Sequence, residues 1–173
     1  MDDIVKQAMV KWPNVPDCCG WLGLDARGDW YMRDDAVQAQ GPFPQSKGSR
    51  LVHDKLIGFI GRNYACDTQG RWFFQNGPQR VFVDLESTPY IARLTPDLKV
   101  WTHTGQALDA QQAWVDEEGL LYLGDTMHVA RVHTQDMMLA VDWLDARHIQ
   151  PQTTRAAELP LRFHFVPHPQ AGH

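Results

Sequence analysis

Histidines, cysteines and closely spaced carboxylates are the groups in this chain that can do chemistry. Four of the eight histidines, His148, His164, His168 and His173, crowd the C-terminal region. The stretch "HFVPH" separates two of them by four positions, but Pro167 forbids the helical face on which that spacing makes a pair of metal ligands. His128 and His133 fall on a strand pattern five apart, hence on opposite faces. With no Cys-x-x-Cys and no His-Glu-x-x-His, the histidines read as core or solvated side chains, and no metal is expected. The adjacent pair Cys18 and Cys19, in "DCCGW", has neither the spacing of a redox helix nor the geometry of a bridge. It reads as two small strand residues facing opposite ways.

Two further stretches carry charge. "SKGSR" places Lys47, Gly48, Ser49 and Arg50 where a second helix is expected to begin, and backbone N–H groups there can hold an anion. The order is Lys-Gly-Ser, however, not the Gly-Lys-Ser of a phosphate loop, so a capped helix with a flexible approach is the plainer reading. "VDLE" puts Asp84 and Glu86 on one strand face, but the position two beyond Glu86 is Thr88, where a nuclease-type site would have lysine. A solvated outer face is expected. No Gly-x-Ser-x-Gly elbow and no dinucleotide glycine pattern follows any strand, so neither a cofactor nor a catalytic residue is assigned.

The elements that must position these groups are mostly strands. The chain has 173 residues, a formal charge of −5, 43% hydrophobic and 21% charged residues, a composition that supports a real core. The net acidity and scattered basic residues argue against a nucleic-acid partner. No run is long enough to span a membrane, and "MDDIVKQAMVKWPNV" has acids where a signal peptide has bases, so a cytoplasmic bacterial-type protein is expected. Seven tryptophans are many for this length, and the indole N–H favours half-wet positions or pocket walls for some of them. Ile4, Val5, Ala8, Met9 and Trp12 share one face of an N-terminal helix that "PNVP" ends. A second helix is expected near residues 49–60, capped by Ser49, with Val52, Leu56, Phe59 and Ile60 on one face. From residue 64 the pattern is nearly all β. "TQDMMLAVDWLDAR" fits a helix capped by Thr134, yet the repeat described next favours strand, turn, strand.

Asp-x-x-Gly, one residue, then a large apolar residue and an aromatic recurs at Asp25 to Tyr31, Asp67 to Phe73 and Asp116 to Tyr122. Aspartate accepts from backbone N–H groups two or more residues on, and glycine supplies the positive φ that closes a hairpin. "RWFFQNGPQRVFVDLESTPYIARL" runs parallel to "LLYLGDTMHVARVHTQDMMLAVDWL", which indicates a duplicated β unit. The order of "CGW", "D-x-x-G-x-W", "RLVHDKLIGFI", "D-x-x-G-R-W-F" and "V-x-V-x-L-E-x-T-P-Y" resembles bacterial families of unknown function with two related β-rich units and short helices. For those families ligand binding or signal transduction has been suggested. The resemblance implies the fold, and no catalytic residue is carried over from it.

The chain is therefore expected to be α+β and β-rich, with two related antiparallel units over residues 1–95 and 96–173, an N-terminal helix and one helix near 49–60. The functional expectation is a non-catalytic ligand-binding or regulatory module with a small molecule in the seam of the units. Trp30, Trp72 and Tyr90 would form the wall, and Arg50 and His53 the polar contacts. The alternative is an assembly module forming a homodimer through strands such as "RVFVDLE". A hydrolase-type enzyme using Asp84, Glu86 and a histidine is the third reading.

Overall fold

Two β-rich units emerge when the Asp-x-x-Gly turns are followed through the computed structural model, which describes residues 1–170. The first unit comprises Met1–Asp25, Asp29–Glu86 and the segment that begins at Phe165; the second comprises Ala26–Gly28 and Ser87–His164. The expected boundary at 95–96 thus falls inside the second unit, at the end of a strand that pairs only with partners further along the chain. His173 lies outside the described residues.

The first unit opens with α1 (Asp3–Lys11), tied down where Arg62 Nε reaches Asp2 Oδ1 at 3.1 Å and the Asp2 amide donates to Asn63 Oδ1 at 2.8 Å. Of its expected apolar face only Val5 is buried, while Ile4 is 71% exposed. Then come β1 (Cys18–Leu24), β2 (Trp30–Met32), α2 (Asp35–Gln40), β3 (Ser49–Arg50), α3 (Asp54–Arg62), β4 (Tyr64–Cys66), β5 (Trp72–Asn76) and β6 (Gln79–Leu85). The sheet order is β3-β2-β1-β6-β5-β4, antiparallel except for β1 against β6. Trp30 on β2 and Tyr64 on β4 meet edge to face with ring centroids 5.2 Å apart, so the sheet curls until strands far apart in its order share one core. Leu22, Leu24, Phe73, Phe82, Val83 and Leu85 fill it.

Three local expectations change here. Ser49 does not cap a helix: Ser49 and Arg50 pair with Met32 and Tyr31 as an edge strand, and α3 starts later, with His53 Nδ1 accepting from the Leu56 amide. Val52 consequently lies outside the helix and is 71% exposed. "DDAVQAQ" forms α2, capped by Asp34 accepting from the Val37 amide at 2.9 Å. "RVFVDLE" is no edge, because β6 is hydrogen-bonded on both sides, to β1 and to β5.

The second unit contains β7 (Tyr90–Leu94), β8 (Val100–Thr102), β9 (Gln112–Val115), β10 (Leu121–Gly124), β11 (Val129–Val132), a 3-10 turn at Thr134–Asp136, α4 (Met137–Arg147), β12 (Gln152–Thr153), a 3-10 turn at Ala156–Glu158 and α5 (Leu159–Arg162). Its sheet runs β12-β9-β10-β11-β7-β8. Each unit therefore has a hairpin and a three-stranded meander whose last strand lies parallel to the first strand of the hairpin, β6 beside β1 and β11 beside β7. The two similar sheets are the mark of a duplication. "TQDMMLAVDWLDAR" is the 3-10 turn and α4, not a strand pair. Ala140, Trp143 and Leu144 form the buried stripe of a helix on the sheet, and Asp136 at its start accepts from Arg93 Nε at 2.7 Å and the Leu94 amide at 3.1 Å.

The turns share one hydrogen-bond scheme. In the hairpins begun by Asp25, Asp67 and Asp116, that residue's amide donates to the carbonyl four residues on, and its Oδ1 accepts from the amide of that same residue at 2.9 Å. The β7–β8 hairpin repeats the backbone bond with Thr95 and Lys99, and Leu98 takes the glycine position at φ 60°.

Candidate functional site: a polar cleft around Asp84

Arg33 follows β2 and is 3% exposed, a rare situation for a permanently charged side chain. Three backbone carbonyls receive it: Gly20 from Nη1 at 2.9 Å, Gly41 from Nη2 at 2.7 Å and Ser46 from Nε at 2.9 Å. Gly20 belongs to an irregular stretch of β1, where the register against β6 shifts between Cys18 and Leu22, and its φ is +85°. Gly41 and Ser46 come from the loop after α2, fixed by Ser46 Oγ donating to the Val37 carbonyl at 2.7 Å. Phe43 in that loop is buried with its ring over Gly23, where a side chain would have to displace it. The guanidinium thus ties a strand irregularity to a loop.

Asp84 lies on β6 opposite Gly23. Its Oδ2 is 3.8 Å from Arg33 Nη1, too long for a hydrogen bond, and its Oδ1 is 3.2 Å from His168 Nδ1. Burial raises the carboxyl above the ordinary carboxylate range, and His168 and Arg33 draw it only partly back. An ionised Asp84 only accepts, so His168 donates to it from Nδ1 and turns Nε2 toward the cleft. The segment that brings His168 is secured by Val166 N to the Gly70 carbonyl (2.9 Å), Leu85 N to the Pro167 carbonyl (2.8 Å) and Arg71 Nη1 to the Gln170 carbonyl (3.2 Å).

Arg33, Asp84 and His168 line a cleft of about 280 Å³, with Cys19, Gln38, Phe43 and Gln170 among its other walls. Burial and the Asp84 charge push the Cys19 thiol upward, the reverse of what a nucleophilic thiol needs. Cys18 lines a separate apolar cleft of about 290 Å³ with Trp21, Leu56, Phe59 and Phe74, so the two cysteines do open to different sides. All three thiols are free.

The residues expected to form a ligand wall and its polar contacts belong to both units, Trp30, Arg50, His53 and Trp72 to the first and Tyr90 to the second. Trp30 is 2% exposed and packs on Tyr64, which in turn meets Trp72 at 4.8 Å between centroids. Arg50 is exposed on β3, His53 caps α3, and none of these four lines the polar cleft. Tyr90 belongs to the second unit, its ring 6.1 Å from that of His103. Lys47 makes no helix-terminal anion site. It pairs with Asp25 at 3.4 Å and Glu86 at 3.5 Å. Asp84 is not on a solvated face: it is 9% exposed, because the loop after α2 and the C-terminal segment cover β6 there. Arg33 carried no sequence signal for this role, and His168 stood out only by its spacing from His164. Among the described residues, no three His, Cys, Asp or Glu side chains converge as a metal cage, and no helix is long and apolar enough to cross a membrane.

The chain belongs to the family described as "Protein of unknown function (DUF2946)", whose model matches residues 1–170. Among solved structures it is similar to a DUF1285 family protein from Silicibacter pomeroyi DSS-3, at 11% identity and a TM-score of 0.50, covering 82% of this chain and 84% of that one. It is also similar to a DUF1285 family protein from Shewanella baltica OS155, at 16% identity and a TM-score of 0.47, covering 75% of this chain and 93% of that one. The first likeness concerns the fold alone. No curated protein matches this chain.

Proposed function

We propose that this protein is a non-catalytic small-ligand-binding module with a regulatory, signal-transducing role, and that its ligand occupies the polar cleft of the first unit. The observation that carries this reading is the state of Asp84. A carboxylate only 9% exposed turns one oxygen, which has no hydrogen bond among the described residues, toward an open cleft. That oxygen opens on the cleft, where a donor of a ligand can take the place of solvent and gains strength from the low-dielectric surroundings. The rigid mounting of Arg33 on three carbonyls supports a preformed site. Regulation is supported by the C-terminal segment, which contributes His168 and Gln170 to the same cleft, so that occupancy and the seating of that segment are coupled.

A thermal-shift screen of metabolites tests this. A compound at one hundred times its Kd adds about 2.7 kcal/mol of stability, a clear rise in the midpoint, and Asp84→Asn removes the rise. A flat panel from a cooperatively melting protein, or a rise that Asp84→Asn leaves intact, refutes the assignment.

A further inference from the structure

On the reading of this cleft as the ligand site, we infer that it takes a neutral polyhydroxyl compound the size of one sugar or cyclitol ring, held through adjacent hydroxyls, one donating to Asp84 Oδ2 and the next hydrogen-bonded to His168 Nε2, since a hydroxyl both donates and accepts. The hydrogen-bonding capacity left over in the cleft is what selects this class. Arg33 gives three of its N–H groups to carbonyls, and its charge is balanced by Asp84. What remains facing the space is mixed: the two N–H groups that Arg33 has left, one carboxylate oxygen without a hydrogen bond among the described residues, and Nε2 of the His168 ring.

An anion could accept from the remaining Arg33 N–H groups but would set its charge against the Asp84 carboxylate beside them. A cation would meet Asp84, but with the Arg33 guanidinium 3.8 Å from the same oxygen. A neutral hydroxyl pair avoids both conflicts. Each hydroxyl donates one hydrogen and keeps lone pairs for donors such as the Gln38 and Gln170 amides on the walls. Phe43, Pro42 and Pro169 supply the apolar surface that the C–H face of a ring needs. A volume of about 280 Å³ is at the small end for a ligand site, which suits a single ring and not a nucleotide.

Titration calorimetry and amide NMR on the full chain decide the matter. The probes are myo-inositol, glucose and mannitol; the counter-probes are inorganic phosphate, citrate and spermidine. Asp84→Asn is near-isosteric and His168→Ala removes a half-exposed ring, so both variants are checked for an unchanged amide spectrum away from the cleft. One polyol is expected to bind, moving the Gly20 and Asp84 amides, with the Kd raised tenfold or more in each variant, about 1.4 kcal/mol per tenfold. Binding of phosphate, citrate or spermidine in place of every polyol, lost in Asp84→Asn, overturns the polyol class and leaves the cleft as the site. A polyol that binds wild type and both variants equally overturns the cleft itself. No binding by any probe overturns the polyol inference, and the broader metabolite screen then decides the cleft separately.

Discussion

Replacing Arg33 by methionine removes the charge and the forked donors but keeps an unbranched apolar stem. Three carbonyls lose their donor, and Asp84 loses its neighbouring cation while remaining buried. Hydrogen bonds to a charged group contribute roughly 1.5–3 kcal/mol each, but these are not additive, because a freed loop carbonyl can turn to water. Removing one member of a buried ion pair costs about 3–5 kcal/mol, and that is the expected loss for Arg33→Met at neutral pH. The loss also depends on pH. The Asp84 carboxyl in the folded protein already lies above its unfolded value, and without Arg33 it rises further. A folded pKa above the unfolded one means that the folded state binds more protons between the two values, so stability falls as pH rises through that window. Below the unfolded value Asp84 is protonated in both states and the charge contributes nothing. The deficit of the variant, taken against wild type at the same pH, should therefore be greatest at neutral pH and shrink as pH falls into the ordinary carboxylate range.

Urea unfolding followed by amide NMR at Leu24 and Phe82 reports on the first unit, and Leu123 and Ala130 report on the second. Wild type and variant should differ at the first pair of signals. A deficit at neutral pH below about 1 kcal/mol, the net value of one ordinary hydrogen bond, would refute the role given to Arg33. A deficit equal at neutral and acidic pH would show that Asp84 is not its charged partner.

Three further outcomes follow from single contacts. Gly124→Ala places a Cβ against the His128 carbonyl at the end of the β10–β11 pair, and it should cost at least ~1–3 kcal/mol by urea unfolding, whereas Gly119→Ala meets no atom and is penalised only through its φ of +80°, by about 1–2 kcal/mol. Tyr122→Phe deletes the hydroxyl that donates to Asp116 Oδ2 at 2.8 Å and should cost about 1–3 kcal/mol by the same assay, since a buried acceptor is left unmet. Burial holds the Cys18 and Cys19 thiols above their ordinary value, so both should react with a disulfide reagent near neutral pH more slowly than a free thiol; fast labelling of Cys19 would reopen nucleophilic chemistry in the polar cleft.

The hairpins were legible because their cause is local. Aspartate at the first position and glycine at the fourth close the turn whatever surrounds it, so Asp25, Asp67 and Asp116 are recognisable in the sequence. The β7–β8 turn is not, because Leu98 holds the glycine position and Thr95 the aspartate position. The repeat misled at residues 134–147. It aligned that segment with β7, but β7 opens the second unit and does not end the first, so nothing in the sheet required another strand there and the apolar residues were free to form α4. Asp84 shows a different limit. Its period-2 neighbours set its face correctly, but whether that face is wet depends on a loop and a C-terminal segment remote in sequence. Arg33 and His168 are separated by most of the chain, and no spacing rule joins them to Asp84.

The duplication also shows what stands in the second unit at the positions of the charged pair of the cleft. Counted from the turns, Phe73 corresponds to Tyr122, each six residues beyond its turn aspartate, and they pair across their hairpins with Phe82 and Arg131. Two residues further on, Asp84 corresponds to His133. In the other hairpin Leu24 and Trp30 face each other as Leu94 and Val100 do, which makes Arg33 the counterpart of His103. The first unit thus has an arginine and a carboxylate where the second has two histidines. Those histidines are engaged in the backbone: His103 Nδ1 accepts from the Ile91 amide at 3.1 Å, and His133 Nδ1 accepts from the Gln135 amide at 3.1 Å, at the turn that leads into α4. An Arg–Asp pair cannot satisfy itself in a dry interior and needs carbonyls and an additional donor, which the loop after α2 and an open cleft provide. The two histidines meet that need locally, each taking a backbone N–H on Nδ1. One frame therefore carries two solutions at equivalent positions, a charged pair on a cleft and two histidines bound to backbone amides. Exchanging Arg33 and Asp84 for histidine together should cost less stability than either exchange alone, because neither buried charge is then left without its partner; a double variant less stable than both single ones would break the correspondence.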